Sequence, residues 1–201
     1  MQVLINYKDV SLADIKKEYH LDVICPQGAE QSENIALTIK MLYFYCDMLK
    51  SKYPSDIEAL ICRELIISSY SVIDGLVGCL GFKIQYQCYN CQRRCNCFSQ
   101  SMFPGDARKN ENEAFKNADL YLRATKIIDL TPAASVYYDN YRSARNNIHL
   151  TKNTNVITSD KRFTREHCQQ AIEFLNGFIE MIYTNYINFV KRNGCNYNKR
   201  R

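Results

Sequence analysis

Residues that break helices are scarce in this chain: seven glycines and four prolines among 201 residues, about half the usual combined share. So few turn residues exclude collagen-like and low-complexity chains and predict a helical protein. Long apolar runs are missing too. The strongest, Leu60 to Phe82, is interrupted by Arg63, Glu64 and Asp74 and falls short of the ~20 uninterrupted apolar residues that a membrane span needs. The N-terminal MQVLINYKDVSLADIKKEY has no basic flank leading into an apolar run and a small-residue cleavage site, so no secretory signal is visible and a cytoplasmic protein is expected. Nor is one sign of charge in great excess: 26 Lys+Arg against 21 Asp+Glu leave +5, too mild to establish nucleic-acid binding by itself. What is present is core material. With 46% hydrophobic and 23% charged residues, the composition excludes disorder and suits one domain over residues 1–201.

The few breakers divide the chain. Ser11 and Asp14 form a capping pair ahead of a short helix. A first long helix is predicted from Ser32 to Tyr53, with Ile35, Ile39, Leu42, Cys46 and Leu49 on one stripe and Pro54 restricting the residue before it. The SDIE pattern at Ser55–Glu58 reads as a capping box for a second helix through Ile57, Leu60, Ile61, Leu65, Val72, Ile73, Leu76 and Leu80, with Gly81 placed to end it. Helical periodicity then lapses over residues 82–110, read as an insertion that closes on Pro104-Gly105-Asp106. A third helix is expected from Glu111 to Leu130. A fourth runs from Pro132 to His149, capped by Thr131, and a last from Phe163 to Arg192. The pattern predicts an all-α up-and-down helical bundle of four to five helices with a cysteine-rich loop insertion.

Ten cysteines in a reducing compartment argue for buried thiols or a metal rather than a disulfide framework. Cys88, Cys91, Cys95 and Cys97 form C-x2-C-x3-C-x-C, the complement of a structural zinc, with Arg93 and Arg94 beside them to favour thiolates. Against zinc stands the tightness of the spacing, which leaves an iron–sulfur cluster or a reactive thiol loop open. Cys25, Cys46, Cys62, Cys79, Cys168 and Cys195 are scattered and read as small core residues. His20 and His167 suggest surface or capping positions. The fifteen tyrosines, among them Tyr137, Tyr138 and Tyr141, suit packing better than base stacking.

The most informative segment is YDNYRSARNNIHL, Tyr138 to Leu150. On a helix Arg142 and His149 are two turns apart on one face, with Arg145 and Asn146 on the same flank. Two guanidinium groups, an amide and an imidazole near a helix end fit metal-free RNA cleavage. Histidine moves a proton in the useful range, arginine forks onto phosphate oxygens, and asparagine orients. The alternative is a structural network in which these groups pair with Glu64 or Asp74 across the bundle.

The stretch R-S-A-R-N-N-I-H, Arg142 to His149, resembles the signature of the HEPN superfamily, an arginine followed after four to six residues by histidine. Arg142 with six intervening residues fits that spacing, and Arg145 with three fits it less well. The resemblance covers about residues 30 to 192. It implies a helical bundle and a homodimer in which two motifs meet to form one composite, metal-independent site. That site cuts single-stranded RNA to a 2′,3′-cyclic phosphate and a 5′-hydroxyl, in a toxin, defence or stress role. Arg142 and His149 would be catalytic, with Asn146 and Arg145 supporting, no cofactor for catalysis, and RNA and an antitoxin or other defence protein as partners. Toxins of this kind that are silenced by a nucleotidyltransferase carry a tyrosine two residues after the histidine. Thr151 stands there in this chain, which argues against that mode of control. The alternative within the resemblance is a non-catalytic module binding nucleotide, RNA or a protein.

Overall fold

The computed structural model describes residues 10–25, 30–90, 111–147 and 163–192, with the backbone alone at 82, 85–90, 111–115, 117 and 141–147. Among the described residues the chain forms seven α-helices and no strand. They are α1 (Leu12–Glu18), α2 (Leu21–Ile24), α3 (Glu30–Met48), α4 (Ser55–Asn90), α5 (Glu111–Ala124), α6 (Pro132–Asn147) and α7 (Arg165–Arg192). The all-α expectation is met, with five long helices and two short ones. No helix among the described residues is long and apolar enough to cross a membrane.

Two predicted caps are in place. Ser11 Oγ accepts from the Asp14 amide at 3.1 Å while an Asp14 carboxylate oxygen accepts from the Ser11 amide at 3.3 Å, satisfying two amides that the first turn of α1 would leave open. Thr131 Oγ1 accepts from the Ala134 amide at 3.2 Å, with Pro132 at the first helical position of α6.

The core is built on α4, which buries Ile61, Leu65, Tyr70, Ile73, Leu76, Leu80 and Ile84. Helix α3 runs antiparallel to it: Gln31 faces Cys79, and Ile35 faces Gly75. Buried Ile35, Ile39 and Leu42 are the predicted α3 stripe. Helix α7 runs parallel to α4, as Cys62 meets Cys168, Tyr70 meets Phe174 and Lys83 meets Tyr186. From α7 the buried Cys168, Leu175, Ile179, Ile182 and Tyr186 enter the same core.

Four boundaries differ from the sequence reading. Helix α4 does not stop at Gly81 but continues to Asn90, so the first third of the expected 82–110 insertion is helix; residues 91–110 lie outside the described residues. Gly81 serves packing instead of termination: a Cβ there would stand 2.5 Å from the Ala118 Cβ, so its missing side chain lets α4 and α5 cross at close range. The SDIE capping box does not form: Ser55 is already helical, and Glu58 accepts from Arg165 at 2.6 Å. Ile57 and Leu60, read as part of the apolar stripe, are exposed near the helix start. Helix α3 ends at Met48 rather than Tyr53. Beyond it the chain turns tightly, with the Lys50 and Ser51 amides on carbonyls three residues back, and Arg165 takes the carbonyls of Leu49 and Ser51. Helix α5 ends at Ala124 rather than Leu130. Lys126 adopts a left-handed φ of 58°, and the Ile127 and Ile128 amides both reach back to the Leu122 carbonyl, folding Ile127 and Ile128 into the core.

Candidate functional site

Helix α6 carries the arginine motif, and its register is fixed from α5. Arg123 donates through Nε to both Asp119 carboxylate oxygens at 3.2 and 3.3 Å, through Nη1 to Ser135 Oγ at 2.9 Å and through Nη2 to an Asp139 carboxylate oxygen at 3.2 Å. Its guanidinium also lies 5.1 Å from the centre of the Tyr138 ring, and the Tyr138 hydroxyl donates to Asp119 at 3.4 Å. Ser135 and Asp139 are one turn apart, so a single planar fork locks two successive turns of α6 against α5. Asp119 is 8% exposed. Burying a carboxylate there is tolerable because a guanidinium and a hydroxyl both serve it.

Aromatic rings hold the other side of α6. Tyr138 is fully buried and stacks on Phe178 with centroids 5.8 Å apart and planes 9° apart. Tyr137 meets Phe174 at 5.0 Å and Tyr70 at 6.3 Å. These contacts assign Tyr137 and Tyr138 to packing, as expected of motif-side tyrosines.

From Tyr138 the backbone register extends to the motif. Arg142 and Arg145 follow it by four and seven residues, positions that share its face of the helix, and Asn146 lies on the same flank. The helix thus brings Arg142, Arg145 and Asn146 together over its last turns, within Pro132–Asn147. His149 and Thr151 lie outside the described residues. The face of α4 that meets Tyr137 has charges of its own. Arg63 lies two turns before Tyr70 and Asp74 one turn after it on the same stripe. Arg63 is 12% exposed, its ion pair with Glu64 is long at 3.8 Å, and its buried Nε finds no hydrogen-bond partner among the described residues. Glu64, one of the two acids that the structural alternative would set against the motif, faces Arg63 in that long contact. An Asp74 carboxylate oxygen is buried.

Of the cysteine cluster, Cys88 lies in the last turn of α4, so the first thiol is borne by a helix and not by a loop. Cys91, Cys95 and Cys97 lie outside the described residues. No group of three or more His, Cys, Asp or Glu able to hold a metal occurs among the described residues.

Sequence reasoning missed three features. Arg63 counted only as a break in an apolar run, although a lone guanidinium seven residues before a buried tyrosine was its signal. His20 occupies the N-cap position of α2 with a left-handed φ of 55° and no side-chain cap bond; what was missed is that it stacks on Tyr183 at 3.7 Å and lies 3.5 Å from Glu180, tying the N-terminal segment to α7. At the start of α7 the cap is Thr164, whose Oγ1 accepts from the His167 amide at 3.3 Å and pairs with the His167 ring nitrogen at 3.0 Å. The third miss is that four scattered cysteines form two pairs across helices. The Cys168 thiol donates to the Cys62 carbonyl at 3.6 Å, and the neighbouring thiols shift each other, Cys168 up and Cys62 down. Cys25 and Cys79 form the second pair. Cys46 is half-buried, and Cys195 lies outside the described residues.

Compared with known proteins, the chain matches no protein-family model, no curated protein and no solved structure.

Proposed function

We propose that the chain is a metal-independent endoribonuclease of HEPN type, acting as a homodimer on single-stranded RNA in a toxin, defence or stress role. The observation that carries this reading is the placement of Arg142, Arg145 and Asn146 on consecutive turns of α6, a helix whose register is held by Arg123 and Tyr138. In this reading His149 takes the proton from the 2′-hydroxyl while Arg142 holds the phosphate. The 2′-oxygen bonds to phosphorus as the bond from phosphorus to the 5′-oxygen breaks, and the 5′-oxygen leaves as a hydroxyl with a proton from the second copy of the motif. Arg145 and Asn146 orient the phosphate, and the second copy of the motif completes the composite site. Two locked turns immediately before the motif suit such a role, because phosphate clamps lose rate when their support is loose. A structural zinc on Cys88, Cys91, Cys95 and Cys97 belongs to the same proposal.

The test uses purified full-length chain and single-stranded RNA with excess chelator. The expected result is cleavage to fragments ending in cyclic phosphate, lost by about 100-fold or more in His149→Ala and Arg142→Ala. Wild-type protein that cuts no faster than these variants removes the ribonuclease reading and leaves the binding module. The same preparation, analysed before chelation, is expected to hold one zinc per chain.

A further inference from the structure

Arg123 and Arg165 are held by partners on several sides. Arg123 directs its fork at Asp119, Ser135 and Asp139, and Arg165 takes the Leu49 and Ser51 carbonyls with the Glu58 carboxylate. Arg63 of α4 is more enclosed than either, its side chain 12% exposed against 28% and 45%. Yet its ion pair among the described residues is a 3.8 Å approach of Nη1 to a Glu64 carboxylate oxygen, beyond hydrogen-bond length. Its buried Nε has no hydrogen-bond partner among the described residues.

The neighbouring acids are badly placed to answer it. Glu64 is the next residue on the helix, so its Cβ departs about 100° around the axis, and its carboxylate is 46% exposed. Asp74, the acid on the same stripe, lies three turns on, about 16 Å along the axis. A guanidinium drawn out of water without a partner is a net cost to the fold. Such a breach of local satisfaction is expected where a group serves something outside the chain.

The place of Arg63 indicates what that is. Arg63 and Tyr70 stand two turns apart on one stripe of α4, and Tyr70 meets Tyr137 of α6 at 6.3 Å. Helix α6 is the one that carries Arg142, Arg145 and Asn146. Arginine is therefore present on both helices of the α4–α6 seam. A nucleic-acid strand brings a phosphate at every nucleotide, so one strand can meet cations on both helices at once. A fork with no hydrogen bond to hold it is free to turn toward two phosphate oxygens, and that turn carries Nε to an acceptor as well.

We infer that Arg63 is a phosphate-binding residue of the α4–α6 seam, engaging the backbone of single-stranded RNA at a nucleotide beside the cleaved one. The inference rests on the ribonuclease reading. Arg63 positions the strand and moves no proton, and its contact is indifferent to base identity. Binding exchanges the long Glu64 approach for a charge-assisted, two-pronged bond.

The experiment measures binding of a fluorescent, single-stranded 2′-O-methyl RNA to the full-length chain by anisotropy, from about 50 to about 200 mM salt. The methyl group removes the attacking hydroxyl, so binding is read without cleavage. Arg63→Met is expected to weaken binding about tenfold for every sequence and to lower the slope of log affinity against log salt by about 0.7, the share of one single-strand phosphate. Arg63→Lys is expected to keep the slope and lose part of the affinity, since an ammonium replaces the charge but not the fork. In urea, Arg63→Met is expected to unfold at the same concentration as wild type or a higher one, because no hydrogen bond is lost. A purely structural arginine gives the opposite result. The proposal is overturned by unchanged affinity and slope in Arg63→Met, by a wild type that does not bind this RNA, or by a variant that is less stable or fails to fold. A variant that loses its dimer in sedimentation while keeping RNA affinity also overturns it, and assigns the fork to a carboxylate of the second copy. The chelator-resistant cleavage assay with His149→Ala judges the ribonuclease reading separately: His149-dependent cleavage with Arg63→Met binding like wild type removes the role of Arg63 alone.

Discussion

The two ends of α4 are tied down by the same two devices, used at different depths. Near its start, Arg165 grips the carbonyls of Leu49 and Ser51 together with the Glu58 carboxylate, and Cys62 pairs with Cys168. Farther along, Lys83 grips the carbonyls of Val23 and Cys25, and Cys79 pairs with Cys25. Arg165 is 45% exposed and has a carboxylate partner. Lys83 is buried among neutral oxygens and a ring. The difference teaches where a cation does structural work: at the surface water shares the task, and in the interior the ammonium is the donor that these carbonyls find among the described residues.

The largest expected effect separates these two sites. Lys83→Met, measured by urea unfolding, is expected to cost about 2–3 kcal/mol, because it leaves buried carbonyl oxygens without a donor. Next comes the glycine that permits the α4–α5 crossing. Gly81→Ala is expected to cost about 1–2 kcal/mol despite its better helix propensity, since the added methyl must displace Ala118. Arg165→Met comes third at about 1 kcal/mol, shrinking further in 1 M salt, and an equal cost at both cations would break the comparison.

Acid and alkali sharpen it. The hydrogen bond from Arg165 holds the Glu58 carboxyl below its ordinary value, so its contribution is complete above the usual glutamate range and is lost as pH falls through the lowered folded value. Burial lowers Lys83, so the unfolded chain binds that proton more tightly. Its effect on stability therefore rises with pH between the lowered value and the ordinary lysine range. Urea midpoints of the two variants against wild type should diverge in opposite directions at the two pH extremes. The smallest effect serves as the control: a Cβ at Gly78 meets nothing, so Gly78→Ala is expected to stabilise by about 0.5–1 kcal/mol.

Local signals made much of this fold legible. The Ile35, Ile39 and Leu42 stripe, the Ser11–Asp14 box and the Thr131–Pro132 start of α6 are each written within one or two turns of chain, and each is found where expected. Misreadings fell where a distant residue outbid a local one. Glu58 has the spacing of a capping residue, but Arg165 offers it a full charge. Gly81 has the look of a helix stop until Ala118 is set against it. The cysteine pairs had no signal at all, since nothing near Cys25 in sequence names Cys79. For the candidate site, the sequence placed Arg142, Arg145 and Asn146 on one helix flank. It was silent on the Arg123 clamp, whose Asp119, Ser135 and Asp139 come from two different helices.

The parallel course of α4 and α7 has a consequence in time. Antiparallel α3 and α4 need only a short turn between them and can pair as soon as both exist. Two parallel helices need a return path, and here the chain makes α5 and α6 before Cys168, Phe178 and Ile182 can cover their side of α4. Contacts that span so much sequence form slowly. During synthesis, α4 must therefore wait with an apolar flank bare until the last helix arrives, and that interval is when the nascent chain is most open to aggregation and to capture by chaperones.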